Sequence, residues 1–201
     1  MKLAILDRDG TLNPLGDDFI TSPEEWSAQP GALEAVARLN HAGWRVVVAT
    51  NQPGLGRGLF DVVSLNAIHA KMLRQVAAVG GRIDAVFYCP HAPDEACHCR
   101  TPAPGLLEQI CDRYGVEPFD ARVVGSCAEH LQAGAALGQA VEAALAGLAV
   151  GFLDADLLFG LVELAAHRAG RGVGGLQGVL RLGQAVTGLH VAGLGLLGAQ
   201  G

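Results

Sequence analysis

Two aspartates stand two residues apart in the segment Asp7-Arg8-Asp9-Gly10-Thr11-Leu12-Asn13, directly after the apolar run Leu3-Ala4-Ile5-Leu6. A carboxylate at the end of a buried strand can coordinate a metal ion and attack phosphorus. One placed two residues on, past a bend eased by Gly10, can reach the leaving oxygen. Carboxylates act as covalent nucleophiles in this way, forming aspartyl-phosphates. Aspartate also caps turns after strands by bonding nearby backbone, and the pair alone does not decide between the two.

A second chemical grouping lies in residues 89–99, where Cys89 and His91 are followed, after five residues, by Cys97 and Cys99. Three thiolates and an imidazole close a tetrahedral zinc site. The cysteines could instead be small buried hydrophobes, but a loop that also carries Pro93, Asp94, Glu95 and His98 has little apolar surface to bury. Four filled positions leave no place for a catalytic water, so the expected zinc is structural and staples a loop without a core of its own. His98, between two ligands, is expected to be exposed. Cys111 and Cys127 fall outside the pattern and read as a helix-face residue and a near-strand residue.

These groups need a scaffold, and the chain alternates short apolar runs with helical patterns. Strands are expected at 2–6, 44–49, 83–88 and 121–124, nearly continuous in apolar residues as in a parallel sheet buried on both faces. Pro30-Gly31 opens a helical stretch with Leu33, Val36 and Leu39, closed by Gly43; a second runs over 62–79 behind the cap Asp61, with Leu65, Ile68, Met72 and Val76 inward; Pro104 opens a third with Leu106, Leu107 and Ile110 inward. The order predicts a doubly wound parallel α/β sheet, whose ligands sit beyond the carboxyl ends of the strands.

The chain has 201 residues and a formal net charge of −6 with two lysines, which argues against a nucleic-acid partner. An anionic substrate must be caught by a few local positive groups. The apolar run after Lys2 is too short for a signal peptide, so a cytoplasmic protein is expected, a monomer with no membrane partner. In a reducing compartment its clustered cysteines bind metal in preference to forming disulfides.

The string from Asp7 to Asn13, together with Thr50-Asn51-Gln52 at the next strand end, resembles the first two motifs of the haloacid dehalogenase superfamily. The resemblance implies that Asp7 is the nucleophile and a magnesium ligand. It makes Asp9 the general acid and base, with its backbone carbonyl facing the metal, and sets Thr50, Asn51 and Gln52 at the substrate's phosphoryl group. A divalent cation is needed there because an ionised aspartate and an anionic phosphate repel. Only 42 residues separate Asp7 from Thr50, and one helix and a loop use them, so no cap domain is expected between them.

The cysteine loop running into Arg100, Pro102 and Pro104-Gly105 is similar to a zinc-loop branch containing heptose bisphosphate and histidinol-phosphate phosphatases. Arg57-Gly58 followed by an aromatic at Phe60, and Asn13, resemble the heptose side. Arg57 and Arg100 are then expected on substrate phosphate, where a guanidinium fork matches the oxygens. The implied reaction is hydrolysis of the C7 phosphate of D-glycero-D-manno-heptose 1,7-bisphosphate, a small phosphorylated sugar, through an aspartyl-phosphate. Two departures weigh against it. Thr101 stands where the family has lysine, and Ser126 and His130 stand where it has aspartates. A histidinol-phosphate phosphatase, or a catalytically impaired phosphosugar-binding relic, are the alternatives.

Residues 131–201 hold 16 of the 28 glycines and no proline or lysine, which sets them apart from the phosphatase-like core at 1–130. A diverged, poorly ordered tail, a weak membrane segment at 182–201 and a reading frame lost near residue 125 compete as explanations. Six glycines with Gln184, His190 and Gln200 make 182–201 a poor spanning helix. An amphipathic helix around Leu145, Leu148 and Phe152 is weakened by glycines that each cost up to about 1 kcal/mol.

Overall fold

Four residues, Leu3–Leu6, form the central strand β1, because an apolar run with no polar face can only be satisfied between two neighbours and under helices on both sides. In the computed structural model, which describes residues 1–16, 18–138 and 140–143, β1 pairs with β2 (Arg45–Asn51) and β4 (Ala121–Gly125). The edges are β3 (Ala85–Cys89) and β5 (Ala140–Ala143), giving the wholly parallel order β3-β2-β1-β4-β5. This is the doubly wound α/β sheet expected from the sequence. All described residues fall in a first compact unit, Met1–Ala155; the second, Asp156–Gly201, lies outside them, as do the amphipathic stretch around 145–152 and the segment 182–201.

Alternation along β1 divides the core. Leu3 and Ile5 join Val47, Ala49, Val123 and the inward residues Leu106, Leu107 and Ile110 of α4 (Gly105–Tyr114), all at most 3% exposed. Each leucine, isoleucine and valine among them contributes about 1.5–3 kcal/mol on burial. Helix α1 (Ala32–His41) packs on β2 and on α3 (Val62–Ala78). Helix α3 starts where Asp61 accepts the Ser64 N–H at 2.7 Å, and it buries Leu65, Ile68, His69, Met72 and Val76. Two short elements carry weaker sequence signals: α2 (Pro53–Gly56) after β2, and α5 (Ala128–Ala136), which packs on β4 and β5. The sheet therefore continues past residue 130, where the composition changes. Among the described residues no helix is long and apolar enough to cross a membrane.

Candidate active site

Asp7 follows the last residue of β1 and keeps its pairing, its N–H donating to the Val124 carbonyl at 2.9 Å. The side chain is 7% exposed. Its Oδ1 accepts the Arg8 backbone N–H at 2.8 Å, and its Oδ2 accepts the Cys127 thiol at 3.3 Å. Burial, and then the nearby Asp9 charge, push its pKa up to about 7, against opposing pulls from Cys127 and Arg8. A carboxylate so placed is a site that calls for a cation.

The chain then bends through Gly10, whose φ of 81° suits glycine. A Cβ there would lie 2.2 Å from Ser126 Oγ, so glycine also permits a close approach to β4. Ser126 Oγ donates to the Asp9 carbonyl at 3.5 Å. The Asp9 carboxylate is held from both sides. Oδ1 accepts Arg8 Nε at 3.1 Å and Asn13 Nδ2 at 3.0 Å, while Oδ2 accepts Arg8 Nη2 and Gln52 Nε2, each at 3.0 Å. Asn13 is itself fixed by Trp26 Nε1, 3.1 Å from its Oδ1.

At the end of β2, Gln52 Nε2 also donates to Thr50 Oγ1 at 3.0 Å, which leaves the threonine hydroxyl proton to point elsewhere. Asn51 Nδ2 donates to Thr101 Oγ1 at 2.7 Å and Asn51 Oδ1 accepts the Thr101 N–H at 3.3 Å. Asp7, Asp9, Thr50, Asn51, Gln52 and Thr101 line one cavity of about 270 Å³, closed on another side by Pro14, Leu15, Phe19 and Ile20. Arg57 and Arg100 are not among its lining residues. Arg57 lies over the Phe19 ring, 5.6 Å from its centroid, at the margin. Arg100 donates to the carbonyls of Ala92, Pro93 and Glu95, so its guanidinium braces the cysteine loop.

Arg8 and His69 belong to the site though the sequence did not single them out, and Cys127 and His130, given no site role there, join them. Arg8 is 1% exposed, and beyond Asp9 its Nη1 reaches His69 Nε2 on α3 at 3.2 Å. Cys127 touches Asp7, and burial, then the Asp7 charge, push its thiol up to about 12. His130 lines the cavity wall; its ring bonds the Ile5 carbonyl, its Nε2 is buried without a partner, and burial pushes it down to about 4.

Cys89 ends β3, in register with Asn51 of β2, and its carbonyl accepts the Gln52 N–H at 2.8 Å. The cysteine loop is thereby tied to the second motif. Sγ of Cys89 lies 3.8 Å from that of Cys97 and 3.3 Å from that of Cys99; His91 Nδ1 lies 3.5 and 3.2 Å from Cys89 and Cys99. These four ligand atoms lie within 4.8 Å of one another and could hold a metal ion. Gly56 of α2 packs against this loop, where a Cβ would come 2.3 Å from the Ala92 nitrogen. His98 is exposed and pairs with Glu108 at 2.9 Å.

No protein-family model matches the chain. Among curated proteins it is 54% identical over 138 residues to the D-glycero-beta-D-manno-heptose-1,7-bisphosphate 7-phosphatase of Bordetella bronchiseptica, covering 69% of this chain and 77% of that one. It is 47% identical over 136 residues to the protein of the same name from Pseudomonas aeruginosa, covering 68% and 76%. Among solved structures it resembles the D,D-heptose 1,7-bisphosphate phosphatase of B. bronchiseptica complexed with magnesium and phosphate, with a TM-score of 0.71 and 47% identity over 84% of this chain and all of that one.

Proposed function

The chain belongs to the D-glycero-D-manno-heptose-1,7-bisphosphate 7-phosphatase family of the haloacid dehalogenase superfamily, and from that premise we propose that it removes the C7 phosphate of D-glycero-D-manno-heptose 1,7-bisphosphate. The observation that carries the reading is one cavity at the carboxyl ends of β1 and β2 that gathers Asp7, Asp9, Thr50 and Asn51. An Asp7 carboxylate oxygen attacks the C7 phosphorus while the bond from phosphorus to the sugar oxygen breaks. Asp9 gives that oxygen its proton. Water then attacks the aspartyl-phosphate, Asp9 takes a proton from it, and inorganic phosphate leaves with Asp7 restored. Thr50 Oγ1, whose proton is not engaged by Gln52, and the second N–H of Asn51 Nδ2 are the donors that face the transferred oxygens.

The buried, charge-deficient setting of Asp7 suits a divalent cation. Asp7 and the Asp9 carbonyl would hold magnesium, whose chemistry is to neutralise the charge of nucleophile and phosphate together. In the cysteine loop S···S and N···S separations of 3.2, 3.3 and 3.8 Å bracket the edge of about 3.7 Å expected for ligands about 2.3 Å from a tetrahedral zinc. Cys89, His91, Cys97 and Cys99 would hold that zinc as a structural staple. Thiols kept for metal binding support a cytoplasmic enzyme.

Ser126 and Thr101 favour a second reading, a weakened enzyme or a phosphosugar-binding relic. Both hydroxyls are engaged with Asp9 and Asn51, and neither supplies charge. Steady-state phosphate release with saturating magnesium separates the readings. Turnover of the heptose bisphosphate well above that of histidinol phosphate is expected; binding without release would support the relic.

A further inference from the structure

Arginine is nearly always solvent-facing, yet the Arg8 side chain is 1% exposed, and each of its three nitrogens has a partner. Nε and Nη2 fork onto the two oxygens of Asp9, and Nη1 meets Nε2 of His69, 3.2 Å away. Guanidinium has no acceptor and keeps its charge, so Nη1 donates and His69 Nε2 must carry the lone pair, with the ring proton on Nδ1. His69 sits on the buried face of α3, between Leu65 and Met72, on a helix that contributes no residue to the cavity lining. Burial, and then the Arg8 charge, push it down to about 4, which keeps the ring neutral across the physiological range.

We propose that His69 is a positioning residue for the reaction: as a neutral acceptor fixed on α3 it sets the roll of the Arg8 guanidinium, and through it the direction of the Asp9 carboxylate. The argument is geometric. A bidentate fork can rotate about its own axis only if its third nitrogen is unanchored, and His69 anchors it to the buried face of α3, which lines no part of the cavity. Without His69, Nη1 becomes a buried donor with no acceptor, and the fork must tilt to find one. Asn13 and Gln52 would still hold Asp9, so the consequence is misdirection of the proton and not loss of the group. This inference rests on the proposed hydrolysis, in which Asp9 protonates the leaving oxygen.

The test uses the full-length, zinc-loaded protein and its His69→Leu and His69→Gln variants. Two substrates are compared: the heptose bisphosphate, whose alkoxide needs a proton to leave, and p-nitrophenyl phosphate, whose phenolate does not. His69→Leu should lose roughly ten- to a hundredfold in kcat on the sugar, with KM within about twofold, and less than about threefold on the aryl ester. His69→Gln, which keeps an acceptor, should recover most of the loss. Equal losses on both substrates, or a glutamine variant no better than leucine while folded to the same extent, overturn the proposal. Long-range ¹H–¹⁵N spectra of the parent imidazole at neutral pH should show a proton on Nδ1 and a bare Nε2; a protonated Nε2 overturns the proposal independently of turnover. A parent inert towards both substrates contradicts the proposed reaction, while the tautomer still decides the pairing of His69 with Arg8.

Discussion

The thiol of Cys127 donates to Oδ2 of Asp7 at 3.3 Å, joining the ends of β4 and β1 across the floor of the cavity. In the family this neighbourhood carries acidic groups. Here a thiol and the Ser126 hydroxyl present protons to the oxygens that would face a metal ion. That pattern underlies the first two expectations.

Asp7 is costly to keep ionised. Its folded pKa of about 7 lies above its ordinary 3.8, so its contribution to stability is present below pH 3.8 and is lost as pH rises through 7. Asp7→Asn should therefore stabilise the fold in magnesium-free buffer at pH 8 by on the order of 2–4 kcal/mol, and the gain should vanish towards pH 4. Urea unfolding of parent and variant at both pH values checks this. Equal stability at pH 8 would show that Asp7 is better solvated than its burial indicates.

Ser126→Asp combined with Thr101→Lys should raise turnover by on the order of a hundredfold, since each restores a charge aimed at the transition state. The two gains need not add, because the groups act together. Phosphate release titrated with magnesium measures it, and the magnesium midpoint should fall in Ser126→Asp alone. A folded double variant no faster than its parent would place the deficit elsewhere.

His130 gives an acid-dependent term. Its folded pKa of about 4 lies below the ordinary 6.5, so the unfolded chain binds the proton first; stability is full above 6.5 and declines as pH falls towards 4. Between pH 7.5 and 5 the parent should lose about 2 kcal/mol more than His130→Leu. Denaturant midpoints at the two pH values give the comparison, and parallel losses would contradict it.

The cysteine cluster should hold about one zinc per chain, measured by elemental analysis of protein purified without chelator. Cys97→Ser should lose the metal and several degrees in Tm, because the loop it closes has Arg100, and not an apolar core, as its other brace. Zinc-free protein with unchanged Tm would refute the staple.

Much of this was legible in the sequence for stated reasons. Strand β1 and the middle of β2 are buried on both faces and so leave unbroken apolar runs, β3 and β4 are short and mostly apolar though only partly buried, and Asp61 caps α3 as its type and position required. Helix α5 and β5 were not legible, since the small side chains of α5 show little apolar period and β5 is only four residues long. Arg8 was missed because a charge after a buried strand ordinarily turns to solvent. His69 had a signal: Leu65, His69, Met72 and Val76 follow the spacing of one helix face, which puts an imidazole in the core. Arg57 and Arg100 were expected on substrate from resemblance; in the structure one lies over Phe19 and the other donates to loop carbonyls.

The central claim is that Asp7 is the nucleophile of a heptose bisphosphate phosphatase, and the direct measurement is phosphate release from D-glycero-D-manno-heptose 1,7-bisphosphate by parent and Asp7→Asn protein with magnesium. The account predicts one phosphate released per sugar, the C7 group, and a fall on the order of a thousandfold or more in the variant, because an amide can neither attack phosphorus nor carry the metal's charge. Undiminished release by Asp7→Asn, or loss of the C1 phosphate in place of C7, would contradict it.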